Sequence, residues 1–138
     1  MAVAAHHDAR VVALPHNVGP AGARNAGLRH VLTPYVVFVD SDVVVSPRRL
    51  SVLLRHFADP LTSLVAPRIC GLDGAATGPW LSRYESVRSS LDLGTRQTLV
   101  RPGSPVSWVP TACMAARVSA LGDGFEAGMR VGEDVDLC

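Results

Sequence analysis

Tyr35-Val-Val-Phe-Val39, followed at once by Asp40-Ser41-Asp42, is the stretch from which the fold is read. Five consecutive apolar residues of strong β propensity predict a buried strand. Two carboxylates one residue apart at its carboxyl end form a compact pair of hard oxygen ligands. Mg²⁺ and Mn²⁺ prefer such ligands and complete their coordination with phosphate oxygens. In open α/β sheets, ligands bind at the carboxyl ends of the strands. Position and chemistry agree, and they point to an enzyme acting on a phosphorylated or nucleotide-linked substrate.

Working outward, Arg10–Leu14 reads as a short apolar strand closed by Pro15. Asn17-Val-Gly-Pro20 is a turn that launches a helix over Ala21–Val31, because Gly19 allows an unusual backbone angle and Pro20 suits the first helical position. That helix is small on one face (Ala21, Gly22, Ala23, Ala26, Gly27), so it can lie close to a sheet or a ligand. Thr33-Pro34 ends it. Beyond the Asp pair, Ser46-Pro47 reads as an N-cap followed by proline. Leu50, Leu53, Leu54 and Phe57 then mark one face of a helix over Arg48–Phe57. Thr62–Ile69 is a further strand. Strand–helix alternation of this kind predicts an α/β fold with a mainly parallel sheet and flanking helices.

Further on, Cys70–Pro79 is a Gly-rich loop, and Trp80, Tyr84, Val87 and Leu91 fall on one helical face stopped by Gly94. Val106–Val109 and Cys113–Ala116 read as short strands. Leu121–Gly132 carries four glycines and reads as a mobile loop, and a helix begins at Glu133.

The 138 residues suffice for one domain with an aliphatic core, since hydrophobic residues are 48% and aromatics 5%. A formal net charge of +1 gives no reason to expect nucleic acid or an anionic membrane as partner. All 13 basic residues are Arg. Cys70, Cys113 and Cys138 are odd in number and widely spaced, which predicts free thiols rather than a disulfide framework or a zinc site. No signal peptide or membrane-spanning run is visible, so the expected compartment is the cytoplasm.

A second acidic cluster, Gly132-Glu133-Asp134-Val135-Asp136, lies far downstream. Taken alone, it reads as acidic residues favoured by a helix N-terminus. Paired with an upstream Asp-x-Asp, it offers a division of labour in which one carboxylate set holds a metal and the other supplies a general base.

In this order, Asn17-Val-Gly-Pro-Ala-Gly-Ala-Arg-Asn-Ala-Gly27, Asp40-Ser-Asp42 and Gly132-Glu-Asp-Val-Asp136 resemble the motifs of family 2 glycosyltransferases with the GT-A fold. A narrower resemblance, to the branch that serves mycofactocin systems, rests on Val65-Ala-Pro-Arg-Ile69, Arg83-Tyr-Glu85, Arg88-Ser-Ser-Leu-Asp-Leu-Gly94 and Val109-Pro-Thr-Ala112. The resemblance implies an inverting transfer of a sugar from a nucleotide-sugar donor to an acceptor hydroxyl. The narrower one implies glucose from a UDP-sugar and a small-molecule or peptide-derived acceptor.

By the same resemblance, Asp40 lies near the nucleotide ribose, and Asp42, with Asp40, ligates Mn²⁺ or Mg²⁺ on the diphosphate. Arg24 and Asn17 belong to the nucleotide side. Asp134 is the general base, with Glu133 beside it. Asn25, by contrast, reads as structural, hydrogen-bonding a neighbouring loop. Against the family pattern, the chain corresponds to an internal part of a glycosyltransferase domain over residues 1–138, with N-terminal and C-terminal parts missing. Alone, it is expected to turn over little.

Two other readings stand beside this one. Asp40-Ser-Asp42 also fits a haloacid-dehalogenase-like phosphohydrolase, although that family uses a Lys near the phosphate and this chain has none. The chain also fits a catalytically silent fragment that binds nucleotide sugar. Trp80 and Tyr84 read as core, and the five histidines show no ligand spacing with the acidic clusters.

Overall fold

The computed structural model describes residues 7–71, 89, 91–129 and 132–137. Their elements, in chain order, are helix α1 (Gly19–Leu28), strand β1 (Tyr35–Val39), helix α2 (Pro47–Arg55), strand β2 (Leu64–Val65), strand β3 (Cys113–Arg117) and helix α3 (Glu133–Leu137). Short 3-10 turns follow α2 (His56–Ala58) and β3 (Val118–Ala120). The Gly-rich loop beyond residue 71 and the Trp80, Tyr84 and Val87 part of the helix expected to run on through Leu91 lie outside the described residues, whereas Leu91 itself lies in a turn.

The sheet has the order β1-β3-β2. β3 is antiparallel to both neighbours, with Tyr35↔Arg117 and Val39↔Cys113 at the ends of one ladder and Leu64↔Ala116 and Val65↔Ala115 in the other. This corrects the expected mainly parallel sheet. The strand–helix–strand unit β1-α2-β2 does exist, and β1 and β2 run the same way because each opposes β3. They are not neighbours, however, because β3 lies between them. Alternation along the sequence reports the direction of successive strands and is blind to a later strand inserted between them.

β3 is the centre of the molecule. Cys113, Met114, Ala115 and Ala116 are all buried. Successive strand residues point to opposite faces, so this strand is covered on both sides. Its small residues let the covering elements approach closely. The core gathers Ala21 of α1, Phe38 of β1, Met114 and Ala116 of β3, and Val109, Leu121 and Phe125 from the flanking loops. Phe38 and Phe125 meet edge-on, with centroids 5.2 Å apart.

At the opposite end of β3, Arg117 lies over the rings of Tyr35 (5.2 Å) and Phe57 (5.7 Å). It donates to the Tyr35 hydroxyl and to the carbonyls of Thr62, Phe57 and Asp59. One guanidinium thus ties β1, β3 and the α2–β2 connection together.

Ser46 caps α2 as expected, its Oγ accepting from Arg49 N–H at 3.3 Å. Leu53 and Phe57 of the apolar stripe are buried, whereas Leu54 is exposed. The helix expected over Ala21–Val31 runs instead over Gly19–Leu28. Arg10–Leu14 and Val106–Val109 form no strand, and Thr62–Ile69 shortens to two paired residues. A strand needs a partner's hydrogen bonds as well as apolar residues. Val11, Val12 and Leu14 are exposed, and no described strand pairs with them. No helix among the described residues is long and apolar enough to cross a membrane.

Candidate active site

β1 delivers Asp40 to the sheet's edge. Its backbone N–H donates to Ala112 O at 2.9 Å, continuing the β1–β3 ladder by one step, and its carbonyl accepts from Val43 N–H at 3.0 Å. The chain therefore leaves the strand in a tight turn that carries Asp42, whose residue is exposed.

α1 supplies the opposing charge. Its first turn is set by Asn17, whose Oδ1 accepts from Gly19 N–H at 2.9 Å, while Gly19 adopts φ +75. Asn17 is thus placed in the turn itself, and no hydrogen bond or ion pair among the described residues ties it to the charged cluster beyond. That cluster is built on Arg24. One terminal nitrogen donates to Asp40 Oδ1 at 3.1 Å and the other to Glu133 Oε1 at 2.6 Å. The Arg24 side chain is 14% exposed, that of Glu133 10% and that of Asp40 43%. Two ends of the chain, 109 residues apart for Arg24 and Glu133, therefore meet in a half-sheltered ion network. Arg-carboxylate contacts of this kind are among the stronger charge-assisted hydrogen bonds.

Phe125 completes the seat, since its ring centroid lies 5.7 Å beneath the Arg24 guanidinium. The neighbouring Asn25 clamps the same residue. Its Nδ2 donates to Phe125 O at 2.7 Å, and its Oδ1 accepts from Phe125 N–H at 2.8 Å. This meets the expectation that Asn25 bonds a neighbouring loop. The described part of the expected loop, residues 121–129 and 132, is irregular, but Leu121 and Phe125 anchor it in the core.

Of the expected site residues, Arg24 contacts both Asp40 and Glu133. Asp134 follows on α3, partly exposed, with its Oδ1 accepting from Val135 N–H at 3.0 Å. It makes no ion pair among the described residues. Phe125 is the member that sequence reasoning missed. An aromatic residue among glycines carries no chemical motif, and only its position under Arg24 gives it a role.

The donor set can be tested against the divalent cation that the family resemblance implies. Asp40 and Asp42 offer two hard carboxylates at one strand end, and both retain exposed surface. No group of three His, Cys, Asp or Glu residues suited to a metal occurs among the described residues. Two carboxylates fit a cation that takes its other ligands from phosphate and water, and do not fit an all-protein cage.

The chain belongs to glycosyl transferase family 2, whose sequence pattern matches residues 2–125. Among individual proteins it is similar to the pre-mycofactocin glycosyltransferase of Mycobacterium tuberculosis, in two strains of that organism. Each is 51% identical over 140 residues, a match that covers 99% of this chain and 29% of the relative. The chain thus spans less than a third of the length of these relatives. No solved structure matches it. Family membership does not favour the phosphohydrolase reading.

Proposed function

We propose that this chain is the donor-side part of an inverting glycosyltransferase that moves glucose from a UDP-sugar to a hydroxyl of a peptide-derived acceptor of the pre-mycofactocin type. The observation that carries this reading is the Arg24 bridge, which joins the strand-end Asp40-Ser41-Asp42 to the helix bearing Glu133 and Asp134. A single displacement needs a leaving group held on one side of the anomeric carbon and a base on the other. Family membership and the 51% identity to the mycobacterial relative support the same reading.

Asp42 and the outer oxygen of Asp40 would hold Mn²⁺ or Mg²⁺. When bound, such a cation neutralises charge on the departing diphosphate. The protein's own groups do the rest. Asp40, fixed through its backbone by Ala112 and through its side chain by Arg24, orients the donor ribose. Asp134 takes the proton of the acceptor hydroxyl as that oxygen attacks the anomeric carbon, whose bond to the diphosphate breaks in the same step. The sugar leaves with its anomeric configuration inverted.

The test is Asp134→Asn in the full-length protein. Removing a general base lowers kcat by about 10²–10⁴-fold, and the KM for UDP-glucose should stay within about threefold because the donor is held elsewhere. A variant with wild-type kcat would contradict the assignment.

A further inference from the structure

Glu133 and Asp134 are adjacent carboxylates on α3, and a reaction of this kind uses one proton acceptor. Their surroundings divide the roles. Glu133 is buried, and its Oε1 lies 2.6 Å from an Arg24 nitrogen. The same guanidinium reaches Asp40 Oδ1 at 3.1 Å and rests over Phe125 at 5.7 Å. Phe125 in turn is gripped at both its N–H and its carbonyl by Asn25, the residue next to Arg24. Two consecutive α1 side chains therefore hold the strand end, the Phe125 loop and α3 at once.

We propose that Arg24 is a positioning residue that sets the distance between the two acidic motifs, and that Glu133 is the anchor it grips rather than the proton acceptor. A carboxylate committed to a guanidinium at 2.6 Å has that oxygen occupied and little open surface for an acceptor hydroxyl. Asp134, without an ion pair among the described residues, keeps its reach. Because α3 is a single short helix, whatever fixes Glu133 also fixes its neighbour. Arg24 would thus hold Asp134 at a set separation from the donor bound at Asp40. This inference rests on the reading of Asp134 as base, and its test is chosen to separate the two.

Glutamine at position 133 keeps an oxygen that can accept from Arg24, whereas alanine keeps nothing. Hydrolysis of UDP-glucose by the full-length protein is compared for Glu133→Gln, Glu133→Ala and Asp134→Asn. An anchor predicts that E133Q retains kcat within about threefold of wild type, while E133A loses about tenfold or more with donor KM little changed. If E133Q falls as far as D134N, Glu133 is the proton-transfer group and the proposal is overturned. Wild-type rates in E133A overturn it as well. A D134N variant at wild-type rate, with the glutamine–alanine split intact, would remove the base assignment and leave the anchor standing.

Thermal melting of Arg24→Gln, Glu133→Ala and the double variant gives a readout independent of turnover. Partners in one contact are non-additive, so the double variant should melt no lower than the worse single one. Fully additive losses would overturn the proposal.

Discussion

Gly124 shows how closely the site is fitted. Its backbone holds φ +92, and a Cβ built there would collide with Asn25 Oδ1. A side chain at 124 therefore meets two obstacles, an unfavourable backbone region and the amide that grips Phe125. The first costs about 1–2 kcal/mol. Disrupting the part-buried Asn25–Phe125 pair costs about 1–2 kcal/mol. Gly124→Ala should lose about 2–4 kcal/mol in urea unfolding, and a loss below about 0.5 kcal/mol would show that the clamp yields freely. Among the residues, the contacts divide into those the sequence marks and those it does not. The two acidic motifs stand out by type and spacing, and Arg24 and Asn25 only through the family resemblance; the structure joins Arg24 to Asp40 and Glu133 and Asn25 to Phe125. Phe125 and Gly124 do not stand out, because their roles arise from a contact across 100 residues of sequence.

At the scale of elements, the same division recurs. The bounds of β1 were legible to the residue because a five-residue β-branched and aromatic run is bounded by Pro34 and Asp40, but of the expected buried strand only Phe38 is buried and Val39 is exposed. The Ser46 cap and the proline after it marked the start of α2. β3 was legible as a strand over Cys113–Ala116, but its central place in the sheet was not, since that depends on which strands it finds. Arg10–Leu14 failed in the reverse way, having the apolar residues of a strand and no described partner.

Outside the site, the segment that leaves β2 is tied by another ion pair. Arg68 donates from Nε and a terminal nitrogen to the two oxygens of Asp92, each at 2.7 Å. This bidentate grip, with help from the Gly94 N–H, holds the Asp92 carboxyl down at about 2. A depressed carboxyl stabilises the fold above its unfolded value of about 3.9, and that contribution is lost as pH falls through the folded value. A carbon-detected NMR titration should therefore find Asp92 with a midpoint of about 2. In Arg68→Gln the midpoint should return toward about 4, and a wild-type midpoint already there would contradict the pairing.

At the scale of the molecule, a small sheet with a doubly covered central strand brings chain segments far apart in sequence to one edge. The Arg117 cluster stiffens one end of β3, and the Arg24 network organises the other. On the proposed function, this second end would receive a nucleoside diphosphate with a divalent cation, through Asp40 and Asp42. The most direct measurement is calorimetric titration of UDP into the full-length protein with and without Mn²⁺, in wild type and in Asp42→Asn. Mn²⁺ should strengthen UDP binding in the wild type by about tenfold or more, and D42N should bind UDP equally weakly with and without the metal while melting as the wild type does. Mn²⁺-stimulated UDP binding that persists unchanged in D42N would contradict the account.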